Sequence, residues 1–120
     1  MTSKPGFAMK RLYAFSVVML LASAASAAEM KDYDTIKKTD VFRDWIKGVS
    51  DGYMTANAYL ESDKKPPLFC SPRALGLNTG NAVDILQNYV TAHAALSARI
   101  KDVPIAVVYL EALKDAFPCP

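Results

Sequence analysis

Apolar residues recur at spacings of three and four along three stretches of the chain, which is the pattern of amphipathic helices. The first stretch follows Thr39 and Asp40, two residues that are favourable at a helix N-cap. It ends before Pro66 and Pro67, because proline cannot continue a helix. Its apolar positions form one wide stripe that consists of Val41, Phe42, Trp45, Ile46, Val49, Tyr53, Ala56 and Leu60.

Two further helices are predicted in the C-terminal half. The second runs from about Thr79 to His93, and the third begins near Pro104, since proline is favoured in the first turn of a helix. The third ends at Phe117, where Pro118 follows. No convincing strand pattern appears, so the sequence predicts a small all-α domain of about three to five helices.

The segments before and between these helices are predicted to be less regular in structure. Ala28–Lys38 is polar and has no clear period, so we expect a loosely held lead-in. Arg73–Leu77 is expected to form a turn, and Ala94–Ile100 is compatible with either a continued helix or a bent second segment.

Two glycines lie inside the first predicted helix. Gly48 and Gly52 are four residues apart and therefore share one face, and each costs about 1 kcal/mol of helix stability relative to alanine. Because such a cost calls for a packing reason, we expect another helix to approach closely at this face.

The first 28 residues have the organisation of a secretory signal peptide. Three basic residues and no acidic residue precede Leu12–Ala22, an almost entirely apolar core, and small residues follow. Cleavage is expected after Ala27 or Ala28, and Met9 is an alternative start. A retained anchor is the competing interpretation, although the core is shorter than a span of roughly 20 residues. The prediction is a signal peptide over 1–28 and a single exported helical domain over 29–120, with no membrane span after cleavage.

Cleavage changes the charge of the protein. The whole chain has 14 basic and 12 acidic residues, for a net charge of +2. Removing Lys4, Lys10 and Arg11 leaves 11 basic residues against the same 12 acidic ones, so the mature chain carries −1. This balance removes the electrostatic case for a nucleic-acid partner.

Both cysteines, Cys70 and Cys119, fall in the exported part. An even number of cysteines in an exported protein usually forms disulfides, which gives one possible intramolecular bridge. Two free thiols or an intermolecular bridge are the alternatives. The cysteines do not form a C-x-x-C motif, so the sequence offers no support for oxidoreductase chemistry.

The sequence contains no recognisable set of catalytic residues. His93 is the only histidine and lies on the apolar stripe of the second predicted helix, where a packed or boundary histidine is the simpler interpretation. Asp40, Asp44 and Asp51 share a helix face with interleaved basic residues, which favours a solvated face with weak ion pairs. One histidine without an unpaired cysteine does not supply a typical zinc site. The prediction is a protein without enzymatic activity, cofactor or metal.

Two surfaces are candidates for binding another protein. The loop Lys64–Phe69 combines lysines, prolines and large apolar residues, and Ala94–Lys101 connects two helices. The predicted partner-binding residues are Lys64, Lys65, Leu68, Ser97, Arg99 and Lys101. For the first loop an equally good alternative is that Leu68 and Phe69 cover the adjacent disulfide.

Four segments in this order resemble the Rap/Tai-type immunity proteins of type VI secretion. The resemblance covers about 42–119 and rests on Trp45-Ile-Lys-Gly48-Val-Ser-Asp-Gly52-Tyr53, Phe69-Cys70-Ser-Pro72, Gln87-Asn-Tyr89-Val-Thr-Ala-His93 and Tyr109-Leu-Glu-Ala-Leu113-Lys-Asp-Ala-Phe117-Pro118-Cys119. Relatives often carry a further cysteine near the position of Asp44 and Trp45, so this chain would have one bridge where they have more. The proline that usually follows the second helix is replaced here by Ala94.

The resemblance implies a small helical periplasmic protein, often a homodimer, that binds a peptidoglycan amidase effector and blocks its substrate groove. The inhibition would be steric, with a loop or helix end keeping the peptide stem from the amidase. A small periplasmic acid-stress chaperone is the alternative function, since the apolar helix around Trp45 and the 12 acidic residues permit it. A cell-envelope hydrolase is a third possibility and would require His93 for activity.

Overall fold

The computed structural model describes residues 27–72 and 76–120. Their helices are α1 (Tyr33–Ile36), α2 (Asp40–Ser62), α3 (Thr79–Ala92) and α4 (Ile105–Ala116), with 3-10 turns at Met30–Asp32 and Ala94–Leu96. An isolated antiparallel bridge joins Glu29 and Pro104, and no β-strand occurs among the described residues. The predicted all-α fold class is therefore confirmed.

The starts of the helices α2 and α3 are determined by N-cap residues in the sequence. The Thr39 side chain accepts a hydrogen bond from the Phe42 N–H at 3.2 Å, and Asn78 accepts one from the Asn81 N–H at 2.9 Å. These side chains satisfy amide donors that have no partner inside the helix. The predicted starts of α2 and α3 are thus confirmed, and α4 begins directly after Pro104 as expected.

Helices α2, α3 and α4 pack against one another around a single core. The buried apolar residues of this core are Tyr33, Phe42, Ile46, Phe69, Ala82, Leu86, Ile105, Val108, Tyr109, Ala112 and Leu113. Most of them occupy the helical stripes that the sequence predicts. Tyr33 and Phe69 are the exceptions, because Tyr33 belongs to the N-terminal segment and Phe69 reaches the core from the loop after α2.

Two buried hydroxyl groups join α2 to α4 inside this core. The Ser50 Oγ and Tyr109 hydroxyls lie 2.7 Å apart, and Ser50 also donates to the Ile46 carbonyl at 2.8 Å. Buried polar groups are tolerated when they are hydrogen-bonded, so this pair fixes the register of the two helices without an unsatisfied group. The neighbouring Tyr53 hydroxyl donates to the Ala106 carbonyl at 2.6 Å and strengthens the same contact.

The prediction of a loosely held lead-in is wrong. The backbone of Ala28 and Met30 forms hydrogen bonds of 2.9 Å with Ile105 and Val103, and Lys31 forms another with Lys101. Met30 and Ile36 pack against the core, and Tyr33 between them is 3 % exposed. The segment is held because three apolar side chains three residues apart dock on the domain.

Burial also governs the ionisation of the docked tyrosine. Desolvation, assisted by the charge of Asp34, raises the pKa of Tyr33 to about 12. The hydroxyl therefore stays protonated and donates to the Gln87 side-chain oxygen at 2.8 Å. This hydrogen bond ties the N-terminal segment to α3.

The expected close approach of another helix at Gly48 and Gly52 is absent from the described part of the chain. A Cβ placed on either glycine would meet no atom within 4 Å. The wide stripe of α2 is also not buried throughout, since Val41 at its edge is 79 % exposed. The glycine face of α2 therefore points away from the core.

The predicted disulfide between Cys70 and Cys119 is present and closes a sequence separation of 49 residues. No helix in the described ranges has the length and hydropathy needed to cross a bilayer. The predicted signal peptide up to residue 26, and residues 73–75 of the predicted turn, lie outside the described residues.

Candidate partner-binding site

Helix α2 ends in a Schellman motif, which determines the shape of the first candidate surface. The Lys65 N–H donates to the Leu60 carbonyl at 2.8 Å, and the Lys64 N–H donates to the Glu61 carbonyl at 3.0 Å. Lys64 consequently takes the left-handed position of the motif, with a φ of 57°. Glycine is usual there, because a side chain in this conformation costs about 1 kcal/mol or more.

Lys64, Lys65 and Pro66 are all exposed, and we refer to these three residues as the KKP corner. Neither lysine takes part in a salt bridge within the described part of the chain. The corner therefore presents two positive charges that are free to meet a partner. Pro66 removes one flexible backbone dihedral directly after them.

The loop behind the KKP corner is fixed by Asn57, a buried residue of α2. Its side-chain amide donates to the Phe69 carbonyl at 2.9 Å, and its side-chain oxygen accepts from the Leu68 N–H at 2.7 Å. A single asparagine thus satisfies two backbone groups of a loop that has no regular structure. Sequence reasoning missed this residue, although its position in phase with Tyr53 and Leu60 was a signal.

The apolar half of the same loop faces inward. Phe69 is 1 % exposed and Leu68 is half-buried against the core, close in sequence to the bridged Cys70. The Cys70 N–H also donates to the Phe117 carbonyl at 2.9 Å, so the loop is joined to the end of α4. Of the three residues predicted here, Lys64 and Lys65 are available to a partner, whereas Leu68 is largely used for packing.

The second candidate surface is the segment after α3 that contains Ser97, Arg99 and Lys101. All three side chains are exposed. The segment is held by its own turns, including a hydrogen bond of 2.6 Å from Ser97 Oγ to the Ala94 carbonyl. The Lys101 carbonyl accepts the hydrogen bond from Lys31, which places this surface beside the docked N-terminal segment.

An apolar pocket of about 190 Å³ lies between the docked N-terminal segment, the end of α3 and α4. His93 lines it, with its ring stacked on Tyr89 at 4.1 Å between centroids and its Nδ1 2.9 Å from the Tyr89 carbonyl. The histidine is therefore occupied by a packing contact and a backbone hydrogen bond. Ser97 and the partly exposed Leu96 also line this pocket.

The two candidate surfaces lie toward opposite ends of α2. The KKP corner follows the C-terminal end of this 23-residue helix, which is about 34 Å long. The second surface instead lies beside Lys31, whose N–H donates to the Lys101 carbonyl. Tyr33, two residues after Lys31, contacts Phe42 near the N-terminal end of α2. The structure does not bring the six predicted residues together into one site.

The acidic residues of α2 form no cluster of catalytic type. Asp40, Asp44 and Asp51 are exposed, and Asp51 forms a salt bridge of 3.0 Å with Lys47. Within the described ranges no group of three or more potential metal-ligating side chains comes together. These carboxylates are arranged as a solvated helix face.

Replacing Lys64 by glycine is expected to stabilise the protein by about 1 kcal/mol, because glycine adopts a positive φ without steric cost. Chemical denaturation of the disulfide-bonded protein measures this difference. Lys65→Gly is the matched control and should be neutral or destabilising, since Lys65 does not occupy the left-handed position. A loss of stability in Lys64→Gly would show that the lysine side chain contributes to the fold.

A family model described as Rap1a immunity proteins matches residues 16–119, which includes α1 to α4 and both cysteines. The match agrees with the resemblance found in the sequence. No curated protein and no solved structure matches the chain.

Proposed function

We propose, since this chain belongs to the Rap1a immunity protein family, that it binds a type VI-secreted peptidoglycan amidase in the periplasm and blocks it sterically. Membership of the family makes the chain an immunity protein against secreted effectors. The KKP corner then enters the substrate groove of the amidase and keeps the peptide stem from the active site. This role needs no catalytic group, cofactor or metal in the immunity protein.

The observation that carries the proposal is Lys64 in a left-handed conformation that glycine would adopt more easily. Strained residues of this kind are concentrated at functional sites, where the side chain has a use that offsets its cost. Lys64 is exposed and forms no salt bridge with another described residue, so its use is not found inside the described fold.

Rigidity of the KKP corner supports the same role. The Schellman motif, the two hydrogen bonds of Asn57 and the disulfide at Cys70 hold the loop on three sides. A binding loop that is already ordered loses little conformational entropy when it meets its partner. The corner is therefore suited to insertion into a preformed groove. The family resemblance also supports action as a homodimer, which would present two such corners.

The test uses the mature, disulfide-bonded chain beginning at Ala28 as bait for secreted and periplasmic proteins of its own strain and of close competitors. The expected result is recovery of an amidase whose cleavage of peptidoglycan is lost in the complex. The double variant Lys64→Gly with Lys65→Gln should bind this amidase about tenfold or more weakly, about 1.4 kcal/mol. Lys114→Gln, an exposed lysine of α4, is the matched control and should bind normally.

Other results would assign a different function or a different surface. Normal binding by the double variant and loss of binding after substitution of Arg99 and Lys101 would place the contact on the second candidate surface. Capture of many unrelated proteins, increasing at low pH, would favour the chaperone function. Recovery of an amidase that stays active in the complex would contradict steric inhibition.

A further inference from the structure

The apolar pocket beside His93 plays no part in the proposed steric inhibition, and we refer to it as the His93 pocket. Met30 from the docked N-terminal segment, Val90 from α3 and Val108 from α4 are among the residues that line it. The pocket is therefore complete only when the N-terminal segment is docked. The backbone hydrogen bonds that dock this segment also give the pocket a fixed shape.

The volume of the His93 pocket, about 190 Å³, is suited to one aromatic ring system. An apolar cavity of about 150 Å³ binds benzene, so this pocket has room for a ring with a few additional atoms. Sites for cofactors and other free small molecules usually measure about 300–1,000 Å³. The size therefore favours a single side chain of a partner protein over a free cofactor.

Exposed apolar side chains at the same place also favour a protein partner. Leu96 is 38 % exposed and Val107 is 48 % exposed, and both line the His93 pocket. A free molecule of about ten atoms inside the pocket would leave these side chains in water, whereas a protein surface would cover them. The exposed Ser97 and Arg99 of the second candidate surface supply polar neighbours, as at the edge of a protein interface.

Most of the polar side chains that line the pocket are already used by the fold. Four of them have hydrogen-bond or salt-bridge partners within the described residues. These are Tyr33, Asp34, Ser97 and Glu111, which bond to Gln87, Lys37, the Ala94 carbonyl and Lys114 respectively.

His93 retains an acceptor that the fold does not use. Its Nδ1 lies 2.9 Å from the Tyr89 carbonyl, and a carbonyl only accepts, so Nδ1 carries the hydrogen. The neutral ring then presents Nε2 as a hydrogen-bond acceptor. Nε2 bonds to no described residue and is open to solvent rather than buried without a partner. The pocket thus combines apolar walls with an unused acceptor.

We infer that the His93 pocket receives a tryptophan or tyrosine side chain of the effector, whose N–H or O–H donates to His93 Nε2. Such residues dominate the binding energy of many interfaces, because they fill a desolvated pocket and also satisfy a polar group. The inference rests on the proposed function for the identity of the partner. It adds a second contact to that of the KKP corner, which lies toward the other end of α2.

Two small probes test the pocket without the effector. Indole and benzofuran have nearly the same shape, but only indole carries an N–H. In a nuclear magnetic resonance titration of the mature disulfide-bonded protein, both probes should shift the methyl signals of Val90, Val107 and Val108. Indole should bind about three- to tenfold more tightly, the factor that one net hydrogen bond supplies. His93→Phe keeps an aromatic ring beside Tyr89 but removes the acceptor, and it should bind the two probes equally.

Substitution of Val107 tests the contact with the effector. Val107→Phe brings a ring to the pocket from a half-exposed position of α4, so the fold should tolerate it. This variant should lose indole and bind the effector about tenfold or more weakly. Val107→Thr has almost the same shape and leaves the space open, so it is the matched control and should keep both. The KKP corner is untouched in each variant, and residual binding of the effector should remain.

Equal affinity of wild type for indole and benzofuran would overturn the assignment, as would unshifted methyl signals at the pocket. Normal binding of the effector by Val107→Phe, once this variant has lost indole, would overturn it too. If Val107→Phe still binds indole, Val90→Phe, which brings a ring from α3, replaces it in the same comparison.

Failure of the pocket contact and failure of the proposed function are distinguishable. If Val107→Phe inhibits an amidase as strongly as wild type does, the proposed inhibition stands and only the pocket contact falls. If indole binds as expected but no effector is recovered, the proposed function fails. The pocket would then be a site for a free aromatic molecule, and an effector side chain would be ruled out as its occupant.

Discussion

Replacing Cys70 and Cys119 together by serine is expected to lower the free energy of unfolding by about 4 kcal/mol. The bridge closes a separation of 49 residues, and the chain-entropy model gives roughly this value for a loop of that length. The loop encloses α3 and α4, which supply most of the buried residues that pack on α2. In so small a domain this is a large fraction of the total stability.

Equilibrium denaturation of the oxidised protein and of the double serine variant measures the effect. Wild type treated with reductant is the internal control and should match the variant, since both lack the bridge. Each single serine variant should be destabilised to a similar extent. An unchanged denaturation midpoint after complete reduction would contradict the prediction and show that packing alone closes the loop.

The helices of this fold could be predicted because their signals are local. Thr39 and Asn78 cap helices whose apolar residues repeat with the helical period, and Pro66 follows the end of α2. The all-α class followed from the same local signals, whereas the pairing of Cys70 with Cys119 was predicted from the even number of cysteines in an exported chain.

The docked N-terminal segment could not be predicted in the same way. Its 3-10 turn and α1 together span seven residues, too few for a convincing period. The hydrogen bonds that hold Ala28 and Met30 come from Ile105 and Val103, which are distant in sequence. Such a segment is ordered by tertiary contacts rather than by its own propensity.

The helical period of α2 also could not predict which of its apolar side chains are exposed. A stripe that runs from Val41 to Leu60 is wide enough to face two neighbours, and its spacing does not say which flank the rest of the chain covers. Gly48 and Gly52 were expected to meet another helix. The structure shows that within the described residues this neighbour is missing.

The prolines and lysines of the candidate binding loop identified it in the sequence. The side chain that fixes the loop, Asn57, was not identified. Asn57 lies in phase with the apolar stripe of α2, where a polar side chain needs a partner. Its two partners are backbone groups of Leu68 and Phe69, and a sequence pattern does not reveal which carbonyl or amide a side chain will reach.

Asn57→Ala is accordingly expected to destabilise the protein by about 2–3 kcal/mol and to weaken binding of the effector. Two backbone groups would lose their partners in a largely buried place, and each unsatisfied group costs about 1–3 kcal/mol. The KKP corner would keep both lysines but lose one of the supports that fix them. Asn88→Ala, an exposed asparagine of α3, is the matched control for the substitution itself.

A second comparison separates the two effects of Asn57. Leu86→Ala removes a fully buried core side chain and should cost about 2–5 kcal/mol while leaving Asn57 and its two hydrogen-bonding groups in place. Calorimetric titration with the effector, at a temperature where circular dichroism shows every variant folded, then compares variants of similar stability. Asn57→Ala should bind more weakly than Leu86→Ala, because an ordered loop binds at lower entropic cost. Equal affinities of the two variants for the effector would mean that Asn57 contributes only to the stability of the fold. The KKP corner would then bind without the hydrogen bonds of Asn57.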